Sequence, residues 1–122
     1  MLVEDDRAIG CMYSVGLEVL GFQVLLLNDV SAVFLQVDKD IPDVVVLDFD
    51  LGGIITGVDV LENLRLDRRT AHLPAFILSN HLGDLDGQID RAFAAGAVAW
   101  LVKSKTSPAD LGGRISEALA SI

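Results

Sequence analysis

Pro42-Asp43-Val44-Val45-Val46-Leu47-Asp48 is the stretch that decides the architecture: four consecutive apolar residues stop abruptly at a carboxylate. A strand with one wet face would alternate apolar and polar residues, so an unbroken apolar run describes a strand covered on both faces. Three further runs share this character: Val24-Leu25-Leu26-Leu27, Ala75-Phe76-Ile77-Leu78 and Ala99-Trp100-Leu101-Val102. Met1-Leu2-Val3 makes a fifth, short at its start.

Helical periodicity fills the intervals. Residues 7–20 place Ile9, Met12, Tyr13, Val19 and Leu20 at helical spacings, with Cys11 expected to be buried and Gly21 as the stop. Residues 31–37 form a short second helix with Ser31 as N-cap. Residues 58–66 put Val60, Leu61 and Leu64 on one face, and residues 85–95 carry Leu85, Ile89, Ala92 and Phe93 before Gly96. Residues 108–121 follow Ser107-Pro108, a cap and a proline at the first helical position, and continue through Leu111, Ile115 and Leu119. Strand and helix thus alternate with short connections, which predicts right-handed βαβ units. The expected fold class is α/β, a doubly wound five-stranded parallel sheet with five helices, forming one domain over residues 1–122.

Composition narrows the function. The 122 residues are 52% hydrophobic, enough for a packed core and too many for a disordered acidic tail. Aspartate and glutamate total 18 against 9 lysine and arginine, a net charge of −9 that argues against nucleic-acid binding. The single cysteine excludes an intramolecular disulfide framework and any CxxC pair. No apolar run approaches the roughly 20 residues that cross a bilayer, and Met1-Leu2-Val3 passes straight into Glu4-Asp5-Asp6 without a signal-peptide pattern. A soluble, cytoplasmic protein without membrane contact is expected. A helical pattern still running at Ile122 leaves open that the sequence is a piece of a longer chain.

In an open parallel sheet, ligands bind beyond the carboxyl ends of the strands, so the residue after each apolar run carries the information. These are Glu4-Asp5-Asp6, Asn28-Asp29, Asp48-Phe49-Asp50, Ser79-Asn80 and Lys103-Ser104. Clustered carboxylates stay ionised cheaply only beside a cation, and an all-oxygen site suits octahedral Mg²⁺. A carboxylate oxygen can attack phosphorus to give an acyl phosphate. A metal and a lysine then neutralise charge on the equatorial oxygens. Taken singly, these residues have plainer readings: Glu4-Asp5-Asp6 as a helix cap, Lys103 as a solvated lysine, Trp100 as core, His72 and His81 as surface residues.

Val3-Glu4-Asp5-Asp6, Pro42 to Asp48, Pro74 to Ser79 and Gly96 to Lys103, in this order and spacing, resemble the receiver domain of two-component response regulators. The similarity covers essentially the whole chain and includes Leu20-Gly21-Phe22 before the second strand. It implies a flavodoxin-like sheet of order 2-1-3-4-5. It also implies Asp48 as phospho-acceptor, Asp5 as the direct ligand of Mg²⁺ (or Mn²⁺), and Glu4 acting through water. Asp50 would offer its backbone carbonyl to the metal, Ser79 would be the switch hydroxyl, Trp100 the switch aromatic and Lys103 the phosphate-binding lysine. The implied partners are a sensor histidine kinase or phosphotransfer protein, with an effector domain or a homodimer on the face of the fourth helix, fifth strand and fifth helix. Such a domain is not an enzyme beyond its own phosphotransfer and dephosphorylation.

The resemblance is incomplete in three places. Gly52 and Thr56-Gly57 replace the usual proline and Asp-Gly pair in a loop one residue longer, and Gly52-Gly53 predicts that this loop is mobile. Ser104 replaces the proline that usually follows the lysine, which puts the family's cis bond there in doubt, and Asn80 replaces a small residue. Two other functions are therefore weighed. One is a degenerate receiver acting only as an interaction module. The other is a haloacid-dehalogenase-type phosphohydrolase, suggested by Asp48-Phe49-Asp50 but lacking a later acidic pair.

Overall fold

A computed structural model describes residues 1–80 and 86–122. Along the chain it forms β1 (Leu2–Val3), α1 (Arg7–Val19), β2 (Leu26–Leu27), α2 (Ser31–Lys39), β3 (Val45–Asp48) and α3 (Gly57–Leu66). These are followed by β4 (Ala75–Ser79), α4 (Gln88–Ala94), β5 (Ala99–Val102), a 3₁₀ turn (Lys103–Lys105) and α5 (Pro108–Ala120). The strands pair in parallel in the order β2-β1-β3-β4-β5, as the resemblance implies.

Successive side chains of each strand point to opposite faces, and both faces are covered. Val3, Val45, Leu47 and Ile77 pack with Val33, Val37, Leu61, Leu64 and Ala92 of α2, α3 and α4. Leu2, Val46, Phe76, Leu78 and Leu101 pack with Tyr13, Leu17, Leu111 and Ile115 of α1 and α5. This two-sided burial is why the strands lack alternation. Among the described residues, no helix is long and apolar enough to cross a membrane.

Helices α3 and α5 begin as their sequences dictate, with capping boxes formed by Thr56 with Asp59 and by Ser107 with Asp110. Four expectations need correction. First, β2 contains only Leu26 and Leu27, because β1 offers only Leu2 and Val3 across from it; β3 is shifted by one and includes Asp48. Second, α1 buries Gly10, Tyr13, Ser14 and Leu17, while Met12 and Val19 are 49% and 81% exposed. The helix carries apolar residues on both sides, and the side that docks is the one whose glycines allow close approach. A Cβ on Gly16 would lie 2.3 Å from Pro108 of α5. Cys11 lies off that stripe and is exposed. Third, α2 has no side-chain cap from Ser31, which is already helical; Asp29 Oδ1 instead accepts the Ser31 N–H at 3.0 Å. Fourth, α4 spans only Gln88–Ala94, with Ala92 buried and Phe93 49% exposed. Leu85 and His81 lie outside the described residues.

Two arginines tie α4 to α3. Arg65 of α3 donates to the carbonyls of Ala95 at 2.7 Å and Gly96 at 3.4 Å, just past the C-terminal end of α4. Arg91 of α4 pairs with Asp59 at 3.0 Å and with Glu62, both on α3. The β3–α3 loop is pinned at its base by an Asp50–Thr56 bridge and by Gly57 N–H donating to the Phe49 carbonyl at 3.0 Å. Residues 52–55 are exposed, and Gly52 has φ +77°, a left-handed conformation that favours glycine.

Candidate functional site

The register of the sheet brings the strand-end residues together. Asp48 pairs with Leu78, so Ser79 stands one step beyond it, and Ser79 in turn pairs with Val102, which immediately precedes Lys103. On the other side of β3, Glu4 continues β1 by donating its N–H to the Leu27 carbonyl at 3.0 Å. Asn28 donates its side-chain amide to the Glu4 carbonyl at 2.9 Å. Of the three acids after β1 only Asp6 caps α1, its Oδ1 accepting the N–H groups of Ala8 and Ile9 at 3.0 Å. The other two are left for the site.

Carboxylate oxygens of Glu4, Asp5 and Asp48 all lie within 4.8 Å of one another. Glu4 and Asp48 are 0% and 1% exposed, whereas Asp5 faces solvent at the mouth. The Lys103 ammonium sits between the two buried acids, 2.7 Å from Glu4 Oε2 and 3.0 Å from Asp48 Oδ1. Asp50 donates its N–H to Asp48 Oδ1 at 3.1 Å. Gly52 closes over the mouth, where a Cβ would come 2.8 Å from Asp5 Oδ2. Ser79 is fully buried and Asn80 exposed.

One ammonium can neutralise only one of two buried carboxylates. Burial, then the Glu4 carboxyl, pushes the Asp48 pKa up from 3.8 to about 8, against the pull of Lys103. Burial alone would lower the Lys103 ammonium, but its bonds to Glu4 and Asp48 outweigh that and hold it above its ordinary value. The surplus negative charge, with an all-oxygen donor set, fits a hard divalent cation. Folding therefore takes up a proton between pH 3.8 and about 8. The stability this group contributes without metal is full at acid pH and is lost as pH rises through about 8. Because such a cation needs ionised oxygens, affinity for a divalent ion is expected to rise with pH over the same window, with proton release near neutrality. Calorimetric titration in two buffers of different ionisation enthalpy reads this directly. Identical heats in both would contradict it.

Trp100 pairs with Ile77 in the sheet and turns its ring onto Phe49, with centroids 5.2 Å apart and planes at 47°. Its indole N–H is buried and has no acceptor among the described residues. Sequence reasoning did not single out Phe49, although its place directly after Asp48 was a usable signal. It also gave Tyr13 no role beyond the core, and nothing local could have done so. His72 is exposed, as expected of a surface residue.

Comparison with known proteins agrees with this geometry. Residues 1–115 match the family described as response regulator receiver domain. The chain is 34% identical over 104 residues to the DNA-binding dual master transcriptional regulator RpaA of Synechocystis, a match covering 84% of this chain and 42% of that protein. It is 31% identical over 109 residues to the phosphate regulon transcriptional regulatory protein PhoB of Rhizobium meliloti, covering 88% of this chain and 46% of that one. The chain thus spans about half the length of the curated relatives it matches. Among solved structures, the receiver domain of NtrX from Brucella abortus superposes with a TM-score of 0.86 at 20% identity, covering 99% of this chain and 98% of that one. A receiver domain protein from Methanospirillum hungatei gives 0.86 at 22% identity, covering 98% and 91%. At these identities the two structures speak for the fold alone.

Proposed function

Since the chain belongs to the response regulator receiver domain family, we propose that residues 1–122 form one receiver unit whose Asp48 accepts a phosphoryl group from a partner histidine kinase or phosphotransfer protein. The observation that carries this reading is the buried Asp48 carboxylate held 3.0 Å from a buried ammonium within an acidic cluster. An ionised Asp48 oxygen attacks phosphorus in line. The new O–P bond forms as the bond from phosphorus to the donor's imidazole nitrogen breaks, and that electron pair leaves with the nitrogen. Lys103 holds charge on the transferred oxygens, and the Ser79 hydroxyl donates to one of them. Glu4, Asp5, Asp48 and the Asp50 carbonyl would hold a divalent ion, Mg²⁺ or Mn²⁺, which when bound supplies further neutralisation of the phosphoryl charge.

The added charge then biases a two-state element. Trp100, packed at a tilt against the residue that follows the acceptor, links the site to the face of α4, β5 and α5. An effector domain or a second copy docks there, in the cytoplasm. On this reading the domain catalyses only its own phosphotransfer and dephosphorylation.

Incubation with acetyl phosphate and Mg²⁺, followed by intact-protein mass spectrometry, tests the proposal. One phosphoryl adduct is expected on the wild type and none on Asp48→Asn. A wild type that takes no adduct would favour the degenerate interaction module. An adduct that survives Asp48→Asn would place the chemistry elsewhere.

A further inference from the structure

Lys103 is well placed at its tip but loosely held at its root. Its ammonium is fixed by Glu4 and Asp48, while its backbone starts a three-residue 3₁₀ turn that leads through exposed Ser104 and Lys105. Ser104 has none of the φ restriction a proline would bring. The bond closing that turn, from Thr106 N–H to the Lys103 carbonyl, is long at 3.3 Å. Short 3₁₀ turns have poor hydrogen-bond geometry, so something outside the turn must fix it.

That support comes from α1, across the whole chain. Tyr13 is fully buried, and its phenol donates to the Thr106 carbonyl at 2.6 Å, with the Lys103 carbonyl also 3.4 Å away. The two acceptors bracket the turn, so the hydroxyl gives its one proton to the Thr106 end while lying beside the Lys103 end. Thr106 completes the arrangement by donating its Oγ1 hydroxyl to the Val102 carbonyl at 2.8 Å. Burial raises the phenol above its ordinary value, so it remains a donor throughout the neutral range. A core position on this face needs only an apolar ring. The hydroxyl is an addition that would be costly to bury without an acceptor.

We infer that Tyr13 is a positioning residue for phosphoryl transfer: its hydroxyl fixes the Lys103–Thr106 turn and thereby the placement of the Lys103 ammonium over Asp48. The inference rests on the receiver reading above. Loss of this hydrogen bond leaves the ammonium paired in the resting state but lets the turn drift when the phosphoryl group must be met. Neither carboxylate moves.

The test compares Tyr13→Phe, which keeps the ring, with Thr70→Val. The latter removes another buried hydroxyl, bonded to the Leu64 carbonyl at 2.5 Å on the opposite layer. Each variant is labelled with acetyl phosphate and Mg²⁺, and each is titrated with beryllofluoride while Trp100 fluorescence is followed. Tyr13→Phe should lower the labelling rate and the beryllofluoride affinity about tenfold, the worth of one well-made hydrogen bond. Thr70→Val should melt earlier but label and bind like the wild type. In a Lys103→Met background, Tyr13→Phe should change neither readout further. Equal labelling of Tyr13→Phe and wild type overturns the inference alone, as does an undiminished effect of Tyr13→Phe without Lys103. A wild type that takes no phosphoryl group overturns the receiver reading, and this inference with it.

Discussion

Lys103→Met is expected to destabilise the metal-free domain by about 3–5 kcal/mol at neutral pH, the usual cost of removing one partner from a buried ion pair. The lysine side chain is 8% exposed and the Glu4 and Asp48 side chains 0% and 1%, so water screens none of the three charges well. Without the ammonium, two buried carboxyls face each other with no counter-charge, so the Asp48 pKa, already raised in the wild type, rises further. Metal-free stability of the variant should therefore fall more steeply than that of the wild type as pH rises through neutrality. Mg²⁺ should stabilise the variant more than the wild type, because the ion then supplies the missing cation. Urea unfolding at several pH values, with and without Mg²⁺, reads all three effects. A metal-free variant as stable as the wild type at pH 7 would mean that Lys103 is not the neutralising group.

This dependence on one cation explains which parts of the site were legible in the sequence. Strands buried on both faces are written as unbroken apolar runs. The residue ending each run is forced to the same edge by the parallel arrangement, so Asp48, Ser79 and Lys103 could be found without a structure. The division of labour among Glu4, Asp5 and Asp6 could not. All three suit a helix start, and only the packing makes Asp6 the cap and buries Glu4. The face of α1 was ambiguous for a related reason. Met12 and Val19 match the helical period as well as Leu17 does, and the choice is made by Gly16 meeting Pro108 from the far end of the chain. Contacts such as Tyr13 with Thr106, 93 residues apart, leave no local trace. The ties of Arg65 and Arg91 between α3 and α4 are equally silent, since isolated arginines on helix surfaces read as solvated.

Gly57→Ala, where the loop after Asp48 enters α3, should be the most damaging of the glycine substitutions around that loop, at about 3 kcal/mol, the upper part of the usual range for overpacking. A Cβ at Gly57 would lie 2.3 Å from the Asp48 carbonyl oxygen and 2.9 Å from its carbonyl carbon. Both obstacles are backbone, so no rotamer change relieves them. The end of β3 or the start of α3 must shift, and the Gly57 N–H bond to the Phe49 carbonyl, now 3.0 Å, is strained with it. Since Asp48 lies at the point of collision, the variant should also accept phosphoryl groups more slowly than its lost stability explains. Gly53→Ala supplies the contrast within the same loop. A Cβ there meets nothing within 4 Å and its φ is not left-handed. That change should be neutral or stabilise by up to about 1 kcal/mol through the unfolded chain. Gly52→Ala should fall between them, penalised by its left-handed backbone and by Asp5 Oδ2 at 2.8 Å. Thermal melts of the three variants, paired with acetyl phosphate labelling, establish the ranking. Equal melting of Gly57→Ala and Gly53→Ala would show that β3 and α3 do not need this close approach. The loop after the acceptor would then be shaped by its tip rather than by the contact at its base.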